Sequence, residues 1–452
     1  MSHHLEERLY QHKMTRRDFL WLASVSTASI ALPGCAVNPV SGESQLMLMS
    51  ETEEIQVDKE NSPHQFSADY GTLQDKALNN YVSEVGNRMA AISHRPNMPY
   101  SFQGVNATYV NAYAFPGGTI AATRGILLSM KNEAELGGLL GHELGHVNAR
   151  HTASRMSKTM LVGLSLNLGL AVMSTSQKYG QYIQLAGLVG QLGAGMLLAH
   201  YSRSDERQAD ALGMEYMTKA GHSPQGMVGL MELLNTMGKH KPNVIETMFA
   251  THPMSSERYQ TAKESADTEY GAMKKLPLNR DRYMDNTAKL RRMKKSIEAM
   301  QQGEKEMAKE QFRPAEQHLK TALKRTPEDY TALVMMGKCQ LAQEKTNQAR
   351  QYLALAKQVY PAEAQAHNLS GITNMMNKRF SAAYQDFDAY EKRLPGNLNT
   401  IFLKGNALEG MQNKRAAAAE YARYLKLNNQ GDQAQHALQR LVDWGYAKPV
   451  RR

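Results

Sequence analysis

The chain has 452 residues, a length that allows two or three domains of ordinary size. Its hydrophobic content of 42% is enough to bury real cores. The formal net charge of +10 would suit a nucleic-acid partner, but the first forty residues indicate a destination where nucleic acid is scarce. We therefore expect no nucleic-acid partner.

Those first residues have the features of an export signal. A twin arginine at Arg16-Arg17 precedes an apolar run, Trp21 to Leu32, that is too short for a permanent membrane-spanning helix. The run leads into Pro33-Gly34-Cys35, which resembles the cleavage site of bacterial lipoproteins. Residues 1–34 are therefore predicted to be a signal peptide that is removed before Cys35 is lipidated. An uncleaved N-terminal anchor is the alternative, and Met14 is an alternative start.

The location follows from the same cysteine. Cys35 and Cys339 are the only cysteines, so a lipidated Cys35 leaves Cys339 without a disulfide partner. Ala36 stands where lipoproteins retained at the inner membrane carry aspartate, which favours the inner leaflet of the outer membrane. We expect a lipid-anchored protein in the periplasm, with residues 35–49 as a tether to the membrane.

Residues 50–273 are predicted to form one α+β domain. A first helix is expected around residues 50–57, and apolar residues recur at helical spacing over residues 74–94. Between Tyr100 and Thr123, apolar residues separated by glycine and asparagine favour short strands and a hairpin. Later helices are expected from Asn132, over residues 196–220 and over residues 224–239.

The strongest chemical pattern is His142-Glu143-Leu144-Gly145-His146. Histidines at positions i and i+4 share one helix face, so both can bind one Zn²⁺ while Glu143 acts as the general base for a water molecule. Gly137, Gly141 and Gly145 weaken this helix and predict that another element approaches it closely. The apolar residues 160–199 predict two core helices, with membrane insertion, a lid or a membrane-surface hairpin as alternatives.

A hydrolytic zinc site needs a third protein ligand. Ala149 and Thr152 exclude the metzincin spacing, so a glutamate from another helix is expected. Glu206 is the candidate, with Glu135 and Glu215 as weaker ones, and Asp210 lies one turn later, where it can bind the second ring nitrogen of a ligand histidine. The strand Thr119-Ile120-Ala121-Ala122-Thr123 is predicted to bind substrate backbone by edge pairing.

The C-terminal part of the chain is a repeat. Three sets of small residues recur every 34 positions, which predicts four tetratricopeptide helix pairs stacked into an α-solenoid, followed by a capping helix. The sets are Gly303, Gly337, Gly371 and Gly405; Ala315, Ala349, Ala383 and Ala417; and Pro327, Pro361 and Pro395. We place a linker at residues 274–288 and the repeat domain at residues 289–446.

Four features together resemble the M48 peptidase family: the pentad, the helix with Glu206 and Asp210, the stretch Asn111–Gly118, and Thr251-His252-Pro253 with Arg258. The repeats resemble those of a periplasmic branch of that family. The resemblance covers about residues 45–445 and implies a mainly α protein with a gluzincin-type domain, one Zn²⁺ per chain bound by His142, His146 and Glu206, and a role in outer-membrane protein quality control.

The resemblance also suggests a role for His252, as a fourth zinc ligand in a closed state or as a stabiliser of the oxyanion; a structural loop histidine is the alternative. We expect an endopeptidase that degrades misfolded or stalled outer-membrane proteins, with the repeats recruiting these substrates or the outer-membrane assembly machinery. The alternative is a non-proteolytic chaperone or scaffold with a capped, silent zinc site.

Overall fold

The computed structural model describes residues 35–157, 201–240 and 242–448. The predicted signal peptide and the apolar residues 160–199 lie outside this part of the chain. Within it, no helix is both long and apolar enough to cross a membrane. The described residues are mainly helical, with a small sheet in the N-terminal half and paired helices in the C-terminal half, which confirms the predicted fold class.

The N-terminal half mixes short strands with helices. Its elements are β1 (Cys35–Val37), β2 (Ser44–Leu46), α1 (Glu51–Ala68), α2 (Lys76–Ala90), β3 (Ser101–Val105), β4 (Ala112–Ala114), β5 (Thr119–Thr123), α3 (Arg124–Ser129), α4 (Glu133–Asn148), α5 (Arg203–Lys219), α6 (Gln225–His240), α7 (Pro242–Thr251) and α8 (Ser256–Asp267).

The segment predicted to be a tether has structure of its own. Strands β1 and β2 pair antiparallel. The side chains of Asn38 and Gln45 donate to the carbonyl oxygen of Ala149, at 3.4 Å each. Ala149 directly follows the last residue of α4. Carbonyl groups at the C-terminal end of a helix have no hydrogen-bond donor within the helix, so they need partners from elsewhere. These residues are therefore fastened to the end of α4, and their role as a tether to the membrane stays a prediction.

The three-stranded sheet corrects the predicted substrate strand. Its order is β3-β5-β4, with β5 parallel to β3 and antiparallel to β4. Strand β5, from Thr119 through Ile120, Ala121 and Ala122 to Thr123, is therefore central, and both of its edges are already hydrogen-bonded. Edge pairing of substrate with β5 is excluded, because a strand offers unpaired backbone groups only at the edge of a sheet.

Helices α4 and α5 approach each other closely through glycines. A Cβ atom added to Gly141 would lie 2.9 Å from the backbone oxygen of Gly213, and one added to Gly145 would lie 3.0 Å from the Cα atom of Ala209. All residues of α4 are buried. The predicted close contact at the α4 glycines is confirmed, and α5 is the element that makes it.

The repeat array contains four helix pairs and one further helix. The pairs are α11 (Lys294–Ala308) with α12 (Phe312–Arg325), α13 (Tyr330–Ala342) with α14 (Thr346–Val359), α15 (Gln365–Met376) with α16 (Phe380–Arg393), and α17 (Leu398–Gly410) with α18 (Lys414–Leu427), followed by α19 (Asp432–Asp443). The repeated glycines leave space for large side chains of the neighbouring helix. A Cβ atom on Gly371, for example, would lie 2.4 Å from the Phe387 ring.

The predicted linker is helical and packed. Helix α9 (Arg280–Asn286) lies within it, and α10 (Ala288–Arg292) begins at its last residue. Tyr283 is fully buried and donates to the carbonyl oxygen of Leu127 at 2.5 Å. Arg282 donates to Glu133, in the first turn of α4, at 2.9 Å. The segment therefore fastens the repeats to the N-terminal domain and is not a flexible spacer.

A buried ion pair joins the two halves of the protein. Arg124, directly after β5, binds Asp329 at 2.7 Å, and their side chains are only 3% and 2% exposed. Asp329 also caps α13 by accepting from the backbone of Ala332. The residue that begins a repeat helix is thus also the residue that holds the N-terminal domain.

We expect Arg124→Met to lower the free energy of unfolding by about 3–5 kcal/mol, because Asp329 is left as a buried unpaired charge. The double variant Arg124→Met with Asp329→Asn should lose less, since asparagine keeps the cap and carries no charge. Urea denaturation measures both. The matched control is Arg88→Ala, which removes an ion pair with Glu84 whose side chains are 48% exposed and should cost less than about 1 kcal/mol. Equal losses for Arg124→Met and Arg88→Ala would contradict the expectation.

Candidate metal centre

The two histidines of the pentad meet because α4 is a regular helix at this point. Asn132 caps its first turn by accepting from the backbone of Glu135 at 2.9 Å. His142 and His146 are one turn apart, and their Nε2 atoms lie 3.1 Å from each other. Both side chains are buried, so two imidazole rings converge on one point inside the protein.

Helix α5 adds a carboxylate to this point. Ser202 and Asp205 form a capping box at its start, which places Glu206 in the first turn. The Glu206 oxygens lie 3.4 Å from His146 Nε2 and 3.7 Å from His142 Nε2. The close contact between α4 and α5 therefore brings Glu206 to the histidines, as the sequence predicted.

His252 completes the cluster from the residue after α7. Its Nδ1 atom lies 2.9 Å from a Glu206 oxygen and 3.3 Å from His142 Nε2. One ligand atom from each of His142, His146, Glu206 and His252 lies within 4.8 Å of the others, and all four residues are buried. The sequence predicted that His252 would act in the active site, and the structure places it among the candidate ligands.

The chemistry of this cluster suits a divalent cation. His142 Nδ1 lies 2.8 Å from the Asp210 carboxylate, so this nitrogen carries the proton and Nε2 presents a lone pair to the cluster. Two imidazole nitrogens and one carboxylate form a donor set that zinc accepts. Neither carboxylate oxygen of Glu143 has a hydrogen-bond partner among the described residues. A fully buried carboxylate without a hydrogen bond is costly unless a cation or water lies beside it.

Asp210 is held in turn by Arg258, from α8. The guanidinium donates to both Asp210 oxygens at 2.7 Å, and its Nη1 atom lies 2.5 Å from Glu206. Burial favours the neutral acid, but hydrogen bonds from Arg258 and His142 keep the pKa of Asp210 below its ordinary value. Asp210 therefore stays ionised where it contacts the His142 ring, and its predicted role in fixing the tautomer of that ring stays a prediction.

The two buried glutamates have opposite electrostatic environments. Burial raises the pKa of Glu143 above its ordinary value, although His252 and His142 act against it. Burial also favours protonation of Glu206, but the charge of His252 and hydrogen bonds from His146 and His252 lower the pKa of Glu206 strongly. Glu206 is thus kept as an anion, whereas Glu143 accepts a proton more readily than an ordinary glutamate.

The other carboxylates considered as ligands lie elsewhere. Glu135 accepts from the backbone of Lys131 at 2.6 Å, at the start of α4. Glu215 pairs with Lys219 at 2.6 Å, one turn along α5. Neither belongs to the cluster of candidate ligands. Cys35, the predicted lipidation site, begins β1.

Three nearby residues had no role assigned from the sequence. Arg258 belonged to the resemblance without a function, and His151 was set aside because it is one residue out of register for another motif. Tyr201, whose ring stacks on His146 with 3.8 Å between centroids, follows the long apolar run without any motif of its own. A histidine or arginine close in sequence to a predicted metal-binding helix can be predicted to support the metal ligands. The sequence around Tyr201 contains no such indication.

The fold and the cluster define a class: helical metallopeptidases in which one helix supplies two histidines and a second supplies a glutamate. The comparisons agree with it. The family model described as peptidase family M48 matches residues 76–266, and a tetratricopeptide repeat model matches residues 306–371. The chain belongs to peptidase family M48.

Named relatives include two kinds of protease. The metalloprotease YcaL of Escherichia coli is 30% identical over 187 residues, which are 40% of this chain and 70% of that protein. The beta-barrel assembly-enhancing protease of Yersinia pestis is 28% identical over 204 residues, which are 45% of this chain and 42% of the relative. Its Escherichia coli counterpart is 25% identical over 43% of this chain. The chain thus matches about two fifths of the length of these assembly-enhancing relatives.

We expect Gly141→Ala to destabilise the protein by about 1–3 kcal/mol, because the new methyl group would overlap the Gly213 carbonyl oxygen and push α5 away. Alanine ordinarily stabilises a helix interior by up to about 1 kcal/mol relative to glycine. A loss of stability in Gly141→Ala would therefore show that the close contact with α5 outweighs helix propensity. Zinc affinity should fall too, since Glu206 moves with α5. Thermal unfolding and zinc titration measure these effects. The control is Gly271→Ala, which meets nothing within 4 Å and should change stability by less than about 0.5 kcal/mol.

Proposed function

We propose that the protein is a zinc-dependent endopeptidase of the bacterial cell envelope. The observation that carries this proposal is the buried Glu143 carboxylate, which lies beside the cluster of His142, His146 and Glu206 and has no hydrogen-bond partner in the described part of the chain. A base with this placement is what hydrolysis of a peptide bond needs next to a metal. Membership of a peptidase family supports the same conclusion.

His142, His146 and Glu206 would hold the zinc ion. When bound, zinc supplies a Lewis acid that acidifies water and polarises the carbonyl of the scissile peptide. Glu206 gives the ligand set its negative charge, and its lowered pKa keeps that charge over the physiological range. Asp210 and Arg258 orient the His142 ring, so that its Nε2 lone pair faces the cluster.

Glu143 would carry the proton during hydrolysis. Its carboxylate takes a proton from the attacking water and returns it to the nitrogen of the departing amine. Both steps require a free carboxylate and a pKa nearer neutrality than that of an exposed glutamate. Burial supplies the raised pKa, and the absence of a hydrogen-bond partner among the described residues leaves both oxygens available.

Substrate would pair with β4, in place of the β5 pairing that the sheet order excludes. Strand β4 packs against α4 and has no strand partner on its outer side among the described residues. The Phe115 N–H donates to the carbonyl oxygen of Thr119, and the Asn111 carbonyl oxygen accepts from the Thr123 N–H, so alternation directs the backbone groups of Ala112 and Ala114 away from β5. Pairing with these groups reads peptide backbone more than side chains, which suits unfolded polypeptides.

The proposed substrates are misfolded or stalled outer-membrane and periplasmic proteins. Several of the relatives are named beta-barrel assembly-enhancing proteases, and the predicted export signal with Cys35 would place this chain at the periplasmic face of the outer membrane. The repeat domain would recruit these substrates or the assembly machinery, because stacked helix pairs form extended binding surfaces. Lipidated Cys35 would supply the membrane attachment.

His252 would act as a fourth donor that closes the site. Its Nδ1 atom lies within the ligand cluster, and its Nε2 atom lies 3.6 Å from a Glu143 oxygen. A histidine in this position competes with water for the cation and with substrate for space. The proposed peptidase would therefore be self-inhibited until His252 moves.

The same closure supports the alternative, a non-proteolytic chaperone or scaffold. If His252 never leaves, the zinc site is structural and the repeats carry the function. Zinc binding does not separate the two proposals, because both require it.

Glu143→Gln separates them. The amide is nearly the same size but cannot take the proton, so cleavage of casein or an unfolded porin should fall by at least about 100-fold, with zinc content and substrate binding retained. Removal of zinc by a chelator should abolish cleavage by the unchanged chain as well. Full cellular function of Glu143→Gln in a strain that lacks the unchanged protein would favour the scaffold.

His252→Ala tests the closing role. If His252 is a fourth donor, the variant should bind zinc more weakly and cleave casein several-fold faster, because water and substrate gain access. If His252 instead stabilises the oxyanion, zinc affinity should stay the same and kcat should fall by about 100- to 1000-fold. Unchanged zinc affinity together with an unchanged peptidase rate would show that His252 is only a loop residue.

A further inference from the structure

His151 lies beside the candidate metal centre without belonging to the ligand cluster. It is 5% exposed, and its Nδ1 atom lies 2.9 Å from His146 Nδ1. Its other ring nitrogen, Nε2, lies 2.9 Å from the side-chain oxygen of Gln208 on α5. Both nitrogens of this buried imidazole therefore have a specific partner.

We propose that His151 is a positioning residue that fixes the tautomer and ring orientation of His146; this inference rests on the proposed zinc ligation by His146. Since His146 Nε2 faces the cluster, its lone pair is the one offered to the metal. A neutral imidazole then carries its proton on Nδ1. That proton needs an acceptor, and His151 Nδ1 is the atom within reach.

The direction of the hydrogen bonds follows from this start. His146 Nδ1–H donates to His151 Nδ1, so the proton of His151 lies on Nε2. That N–H donates to the Gln208 side-chain oxygen, and an Asp205 carboxylate oxygen lies 3.7 Å away on the same side. Each nitrogen has a partner of the required type in this arrangement. The first turns of α5 thus support both ligand histidines, through Gln208 on one side and Asp210 on the other.

The position of His151 depends on an unfavourable backbone conformation at Arg150. Helix α4 ends at Asn148, and Arg150 adopts φ = 58°, in the left-handed region that a residue with a Cβ atom rarely enters. This turn carries the chain back towards His146. Arg150 is held there by its own side chain, which donates to Glu54 and to the Met49 carbonyl oxygen, both at 2.7 Å. The strained turn is therefore fixed by contacts with α1 and the residues before it.

The two ligand histidines are supported differently. Asp210 gives His142 an ionised partner that Arg258 holds, whereas His151 gives His146 a neutral one. A second carboxylate at His146 would add another negative charge to a centre that already contains Glu143, Glu206 and Asp210. A neutral acceptor orients the ring without that repulsion.

The test compares zinc dissociation constants of full-length variants by competition with a chelator. His151→Phe keeps the ring size but removes the acceptor, and zinc affinity should fall by about 10- to 100-fold, the usual effect of losing an outer partner of a ligand histidine. His151→Asn can accept through its side-chain oxygen and should recover most of the affinity. Gln208→Leu should weaken zinc binding by a smaller factor.

The matched control is His222→Phe, another buried histidine that packs against α4, beside Gly137 and away from the cluster. It should change thermal stability without changing zinc affinity. Three results would each overturn the role of His151. They are an unchanged zinc affinity in His151→Phe, a loss of zinc affinity in His151→Asn as large as that in His151→Phe, and an equally large loss in His222→Phe. If His151→Phe does not fold, Gln208→Leu carries the test, and unchanged affinity there overturns it. Failure of the unchanged chain to bind zinc would instead refute the proposed function itself.

Discussion

The close contact between α4 and α5 is the constraint on which the candidate centre depends. Gly141 and Gly145 allow the α5 backbone to lie against α4 where any side chain would hold the helices apart. Glu206 has a short side chain and reaches His142 and His146 only because its helix lies this close. The glycines cost helix stability, and the packing of two buried helices offsets that cost. Gln208 and Asp210 reach their histidines through the same contact.

Charge balance gives the centre its second constraint. Glu143, Glu206 and Asp210 are carboxylates in a buried site, and Arg258 is the arginine bonded to two of them. Burial of several like charges is unfavourable unless cations neutralise part of the excess. The lowered pKa of Glu206 and the raised pKa of Glu143 show how the protein distributes that excess. The carboxylate predicted to bind metal stays ionised, while the proposed base is the one whose proton affinity rises.

Patterns with a fixed period were readable from the sequence, and contacts between distant segments were not. The spacing of His142 and His146 and the 34-residue repeat reflect helix geometry, which local sequence determines. Helix α1 was predicted to be too short because its buried face is polar: Glu54 binds Arg95 and Arg150, and Asp58 accepts from the backbone of Thr119. The central place of β5 was missed because strand order depends on long-range pairing that alternation does not encode.

The repeat array meets the N-terminal domain through its own period. Asp329 and Glu363 are 34 residues apart and precede the first helices of successive repeats, α13 and α15. Asp329 binds Arg124, directly after β5, and Glu363 accepts from Ser67 near the end of α1. Equivalent positions of two repeats are therefore used to hold the proposed peptidase domain. That edge of the array is covered, so a recruited partner must use another face. Because Arg124 directly follows β5, one of the contacts that hold the array adjoins the sheet that carries β4, the proposed site of substrate pairing.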